Sequence, residues 1–201
     1  MKTILVTGFE PFGGESVNPS WECVRTLPDN MNASDIVRAC LPVEWDRTNA
    51  ALGRLIDEVR PDAVISFGQA GGRNAVTIER IAMNLRDSAS PDNVGRICCN
   101  EPVVPGGPDG IFATLPVYGI KAALEDARIP AAFSYSAGPY LCNNAMYYAL
   151  YRALADGGAM KAGFVHVPYM NGQSQTAFTM DIEQMRRAAL TICGCVSHAI
   201  A

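Results

Sequence analysis

Ser134-Tyr-Ser-Ala-Gly-Pro-Tyr-Leu-Cys-Asn-Asn-Ala-Met-Tyr-Tyr-Ala-Leu150 reads as a short strand, a sharp turn, a cysteine and then a helix. Ala131, Ala132, Phe133 and Tyr135 predict a buried strand leading into it. Gly138-Pro139 is a breaker pair that ends the strand. After Cys142 the residues Ala145, Met146, Ala149 and Leu150 recur at helical spacing, which places Cys142 at or near a helix amino terminus. There the free N–H groups and the positive end of the helix dipole favour a thiolate over a thiol. The same N–H groups are able to hold an oxyanion formed when a thiolate attacks a carbonyl. The alternative is that Cys142 is a small buried hydrophobe, the commonest state of a cysteine.

Outward from this stretch, strands and helices alternate. Lys2 to Thr7 predicts a buried first strand that ends in Gly8-Phe-Glu-Pro-Phe-Gly-Gly14. That loop lacks the Gly-Lys-Ser/Thr ending of a P-loop and the glycine spacing of a dinucleotide fold, so phosphate binding is a minor reading of it. Phe9 and Phe12 lie at the carboxyl end of a strand, where open α/β sheets bind ligands, and suit a flat, apolar-faced ligand or a place in the core. Asn18 or Ser20 is positioned to cap a first helix. A strand is expected over 35–41, a helix over 45–59 with Ala51, Leu52, Leu55, Ile56 and Val59 on one face, and a strand over 62–68. Gln69-Ala-Gly-Gly-Arg73 then forms a second glycine-rich loop. The alternation predicts an α/β domain spanning residues 1–201 with a largely parallel sheet.

Ala75 to Asn84 reads as one further strand with Glu79 inside it. A carboxylate among apolar residues must be solvated or paired. Glu79 is either an edge residue paired with Arg73 or Arg80, or an acid that orients a catalytic group. Residues 86–110 are polar and rich in Pro, Gly and Asn, and predict a long loop or a small hairpin. Helices are expected over 115–127, 140–156 and 179–200, the last opened by Asp181 and Glu183. Lys161 to Pro168 predicts a strand with His166 near its end, and 169–178 a loop. Cys142 follows one strand and His166 ends the next, so a parallel sheet would bring both to one rim, where sites form. A cysteine nucleophile with a histidine base is one solution for acyl transfer, with a third group orienting the imidazole. Glu79 is the best third member. His198 reads as a surface residue without a role.

Composition narrows the field. The chain has 201 residues, 49% of them hydrophobic and 18% charged, and a formal net charge of −4. No basic run is present, which argues against nucleic acid as a partner. The apolar start is too short for a signal peptide or a membrane span, so a soluble, cytoplasmic protein is expected. Seven cysteines at irregular spacing, with only two histidines, predict free thiols and no metal site.

Four stretches resemble the pyroglutamyl-peptidase I (pyrrolidone-carboxylate peptidase) family of cysteine peptidases. They are Thr7 to Glu22, Gly68 to Asn84, Ser134 to Asn143, and Gly163 to Tyr169, in the expected order along nearly the whole chain. The resemblance implies an open three-layer α/β/α sandwich and homotetrameric assembly. It implies a catalytic triad of Glu79, Cys142 and His166, no cofactor, and removal of N-terminal pyroglutamate from peptides. It also places ring-binding residues in the loops that carry Phe9, Phe12, Asn18 and Gln69. A pyroglutamyl terminus is a neutral lactam, so apolar faces and hydrogen bonds to its N–H and C=O must recognise it, and a site that pairs both groups rejects proline. The chain departs from the family at Ala89, where members carry Arg, and in the Met170-Asn-Gly-Gln173 loop, which lacks a usual proline. A nucleoside-processing or phosphorolytic enzyme is the competing reading, weakened by the missing lysine near Gly13-Gly14. A binding protein that has lost turnover is a third.

Overall fold

The computed structural model describes residues 1–201. In chain order its elements are β1 (Lys2–Phe9), α1 (Pro19–Val24), β2 (Asn30–Met31), β3 (Ser34–Leu41), α2 (Trp45–Val59), β4 (Ala63–Gln69) and β5 (Val76–Glu79). There follow β6 (Ile81–Met83), β7 (Arg86–Ser88), β8 (Cys98–Glu101), β9 (Gly110–Phe112), α3 (Val117–Asp126), β10 (Ala131–Ser134) and α4 (Leu141–Ala155). The chain ends with β11 (Lys161–Val167), β12 (Tyr169–Met170), β13 (Thr179–Met180) and α5 (Ile182–Ile200).

Seven strands form the central sheet in the order β10-β5-β11-β4-β1-β3-β2. Its middle is parallel: β1 pairs with β3 and β4, and β4 with β11. Strand residues alternate between two faces, and each face has its own core. Phe67, Val76, Ile78 and Val165 pack beneath α1, α3 and α5. Leu5, Val64 and Phe164 pack beneath α2 and α4, against Trp45, Leu52, Met146, Tyr147 and Leu150. The result is helices on both faces of a mostly parallel sheet, as expected from the alternation.

Three expectations need correction. Ala75 to Asn84 is not one strand. β5 stays in the sheet, but at Arg80 the chain turns outward and β6 pairs antiparallel with β9 instead. Arg80 itself lies over the exposed ring of Tyr118 and the half-buried ring of Phe133, at 4.9 and 5.3 Å. An arginine that covers aromatic faces in this way is better solvated outside the sheet than within it. Second, β10 is the edge strand rather than a buried one; its residues are half-buried and Tyr135 is 70% exposed. Third, β5 runs antiparallel to β11, with β10 parallel to β5. The carboxyl ends of β10 and β11 therefore point to opposite rims, and the shared-rim argument for Cys142 and His166 fails. The chain between β10 and α4, turning at Gly138 with φ +73°, carries Cys142 back to the sheet.

The polar 86–110 stretch contains the irregular antiparallel pair β7 and β8. The 169–178 loop is closed at its base by pairing of β12 with β13. No helix is long and apolar enough to cross a membrane, and all seven cysteines are free.

Candidate active site

Cys142 is the second residue of α4 and is half-buried. The first-turn N–H groups of a helix have no intrahelical acceptor, and Tyr140, at the cap position, supplies no side-chain bond to them. They remain free to meet an anion. Two buried amides hold this turn in place. Asn143 accepts from the Met83 N–H at 2.8 Å and donates to the carbonyls of Met83 and Leu85. Asn144 exchanges hydrogen bonds with Asn49 of α2 and accepts from Arg86 Nε at 2.8 Å.

The sulfur lies over Gly68. A β-carbon at that glycine would fall 2.9 Å from Cys142 Sγ and 2.7 Å from the Phe164 ring. Gly68 is the register partner of His166 on the neighbouring strand, and the His166 and Phe164 rings are 4.8 Å apart. Strand alternation puts Gly68, Thr77, Glu79, Phe164 and His166 on the face that α4 covers. The shared face, rather than a shared rim, is what brings cysteine and histidine together. No hydrogen bond yet joins Sγ to the imidazole in this structure, a looseness usual in unliganded sites.

Glu79 is fully buried and His166 is 2% exposed. Glu79 Oε1 lies 2.7 Å from His166 Nδ1 and also accepts from Arg73 Nη1 at 2.6 Å. Arg73 bonds the Thr77 hydroxyl as well, and donates to the Ser136 carbonyl at 3.1 Å. Glu79 is therefore not an edge residue: β5 lies between β10 and β11, and the buried carboxylate pairs with Arg73 rather than Arg80 while also bonding the His166 ring. Burial pushes the Glu79 carboxyl up, but the bond and charge of His166, with Ser134 and Arg73, outweigh it and leave the group below its usual range. A charged carboxylate only accepts, so Nδ1 carries the proton and Nε2 is left with a lone pair.

Charge state departs from the expectation of a resting thiolate. Burial pushes the Cys142 thiol up to about 12, with the Glu79 charge adding and Arg73 opposing. Burial also holds His166 below the ordinary imidazole range, against the pull of Glu79. Both directions favour the neutral thiol and neutral imidazole over an ion pair.

A small cleft of about 50 Å³ opens beside Cys142, lined by Phe9, Phe12, Asn18, Val43, Gln69, Tyr140, Leu141 and Cys142. All four residues singled out for the ring are in it, but not in equal roles. Phe9 is 3% exposed and belongs to the core; Phe12 is half-buried against Tyr140, with ring centroids 6.3 Å apart. The Asn18 side chain is largely committed: Oδ1 accepts from the backbone and hydroxyl of Ser20, capping α1, and Nδ2 donates to the Glu10 carbonyl. It shapes the Phe9–Phe12 loop. Val43, Tyr140 and Leu141 were not singled out from sequence, nor was the clasp behind them. In that clasp Asn93 bonds the carbonyls of Val43 and Pro11, Asp92 accepts from the Trp45 N–H, and Tyr140 Oη donates to the Pro91 carbonyl. The only sequence hint was that the departure at Ala89 lies two residues before Pro91-Asp92-Asn93. No lysine or arginine lines the cleft, which removes the support for a phosphate reading.

Fold and site together define the class as an α/β cysteine hydrolase. The family model described as pyroglutamyl peptidase matches residues 2–194. Pyrrolidone-carboxylate peptidases from Thermococcus onnurineus and Thermococcus kodakarensis are 50% and 52% identical over 171 residues. The aligned region is 85% of this chain in both cases and 86% and 83% of those relatives. The crystal structure of pyroglutamyl peptidase I from Bacillus amyloliquefaciens superposes with a TM-score of 0.95 at 34% identity, covering 98% of each chain. The chain belongs to the pyroglutamyl peptidase family of cysteine peptidases.

Proposed function

We propose that this chain hydrolytically removes an N-terminal pyroglutamyl residue from peptides, with Cys142 as nucleophile, His166 as base and acid, and Glu79 as the group that holds the imidazole. One observation carries the substrate assignment. The cleft beside Cys142 is walled by Phe9, Phe12, Val43, Tyr140 and Leu141, offers the Gln69 amide beside the committed side chain of Asn18, and contains no charged side chain. An α-ammonium would lose its water there and find no carboxylate in return. A lactam ring carries no charge and meets no such penalty.

The steps follow from the neutral resting pair. His166 Nε2 takes the thiol proton as Sγ attacks the pyroglutamyl carbonyl, so negative charge passes to the carbonyl oxygen rather than resting on sulfur. The first-turn N–H groups of α4 receive that oxyanion. The imidazolium, steadied by Glu79, gives its proton to the departing amine, and the C–N bond breaks to leave a thioacyl enzyme. Water, deprotonated by His166, then attacks the thioester; the C–S bond breaks, pyroglutamate leaves, and the sulfur takes its proton back from His166. The reading takes the chain as one cytoplasmic domain that needs no cofactor or metal and assembles as a homotetramer. Those last features rest on the family resemblance, and sedimentation of the purified chain tests the assembly. Activity is tested with a pyroglutamyl fluorogenic amide beside the prolyl analogue. Release from the first alone, abolished in Cys142→Ser, is expected; comparable release from the prolyl compound overturns the lactam argument.

A further inference from the structure

Gln173 lies in the 169–178 loop, far along the chain from Gln69, yet the two side chains meet. The backbone N–H of Met170 donates to Gln173 Oε1 at 2.8 Å. A backbone N–H is only ever a donor, so it determines which end of this amide is oxygen. The Gln173 NH2 group must then face the other way. It reaches Gln69 Oε1 at 3.1 Å and the Val17 carbonyl at 3.5 Å. Gln69 Oε1 is thereby taken, and its own NH2 group has no protein acceptor. Gln69 ends β4, directly after the glycine beneath the Cys142 sulfur, and lines the cleft.

Building on the reading above, we propose that Gln173 is a positioning residue for substrate specificity: it locks the Gln69 amide with its NH2 group toward the cleft, ready to donate to the ring carbonyl of the lactam. The ring carbonyl is the group that separates pyroglutamate from proline. A free glutamine amide turns either face to a ligand at little cost; one whose oxygen is held by a second amide does not. The relay runs from Met170 N–H through Gln173 to Gln69, and its direction is set at the backbone end. The loop in which the chain departs from its family pattern thus carries part of the selection.

The test reverses the relay. In Gln173→Glu, one carboxylate oxygen still accepts from Met170, and the other accepts from Gln69, turning the Gln69 oxygen toward the cleft. Steady-state hydrolysis of a pyroglutamyl fluorogenic amide by wild type, Gln173→Glu, Gln173→Leu, Gln69→Ala and the Gln69→Ala/Gln173→Glu double variant is compared. Gln173→Glu is expected to raise KM about tenfold or more, the scale of one lost hydrogen bond with its partner left unpaired. Its kcat is expected to stay within about threefold, and Gln173→Leu, which releases the amide without reversing it, to fall between. In the Gln69→Ala background Gln173→Glu is expected to add nothing, because the group it acts through is gone. Alkylation of Cys142 by iodoacetamide, at unchanged rate, checks that each variant keeps its nucleophile. An unchanged KM in Gln173→Glu, or a full effect persisting without Gln69, overturns the relay while leaving the peptidase reading intact. Wild-type protein inert toward the pyroglutamyl compound overturns both.

Discussion

Gly68→Ala is the sharpest perturbation this site offers. Gly68 has no positive φ, so alanine meets no backbone strain there. The obstacle is contact: the new methyl would stand 2.9 Å from Cys142 Sγ and 2.7 Å from Phe164 Cζ. Ordinary contacts begin near ~3.5 Å, so sulfur and ring must each retreat by roughly 0.6 to 0.8 Å or more. Overpacking of this kind costs about 1–3 kcal/mol of stability. Displacing a nucleophile by close to an ångström costs about 10²-fold in rate, equivalent to about 2.7 kcal/mol in the barrier. Gly163→Ala separates the two effects. Gly163 lies on β11 with its open side on the opposite face, where a methyl would meet Leu115 at 2.7 Å. The crowding is comparable, but no catalytic group is touched. Urea unfolding is expected to register similar stability losses for both variants. Initial rates on a pyroglutamyl amide, taken where both remain folded, are expected to drop about 10²-fold for Gly68→Ala and less than about threefold for Gly163→Ala. Equal rates in the two variants would refute the placement of the sulfur over Gly68.

Three further outcomes follow from the same geometry. Because burial holds His166 below the usual imidazole range, the base is lost only as pH falls through that lowered value, so the acid limb of kcat/KM is expected below about pH 6.5; because the thiol is raised, iodoacetamide alkylation is expected to go on rising past about pH 9, and a plateau established by pH 5 would mean a resting thiolate. Glu79→Gln keeps the shape but removes the charge shared by His166 and Arg73, and is expected to lower kcat about 10³- to 10⁴-fold; a loss under tenfold would assign Glu79 a packing role. Phe9→Ala is expected to cost about 3–5 kcal/mol in urea unfolding, as a core ring, whereas half-exposed Phe12→Ala is expected to raise KM with a small stability change. The reverse order would exchange their assignments.

Much of the local structure was legible because it is written in short-range terms. The apolar stripe from Trp45 to Val59 and the Pro61 beyond it bound α2 as observed, and Asn18 caps α1 as its side chain suggests. What failed was direction. β5 has four residues, and nothing in Val-Thr-Ile-Glu says whether it runs with or against β11. The departure of β6 at Arg80 depends on Tyr118 and Phe133, which are distant in sequence. In the site, Cys142 and His166 were recognisable from their motifs, and Glu79 from a carboxylate in an apolar run. Val43, the Asn93 clasp and the Gln173 amide were not, since each acts through a hydrogen bond or wall supplied by a remote segment.

The amino-acid order alone therefore determined which residue types could do the chemistry, and where helices and most strands begin and end, because periodicity, breakers and caps operate within a few positions. It also carried the family likeness. Only the folded arrangement decided that Cys142 and His166 lie on one face of the sheet instead of at one rim. It alone decided that Glu79 serves Arg73 and His166 with one oxygen, and that burial pushes the Cys142 thiol upward. These depend on strand direction and on how much water reaches each group, and both are properties of the assembled layers rather than of any stretch of chain.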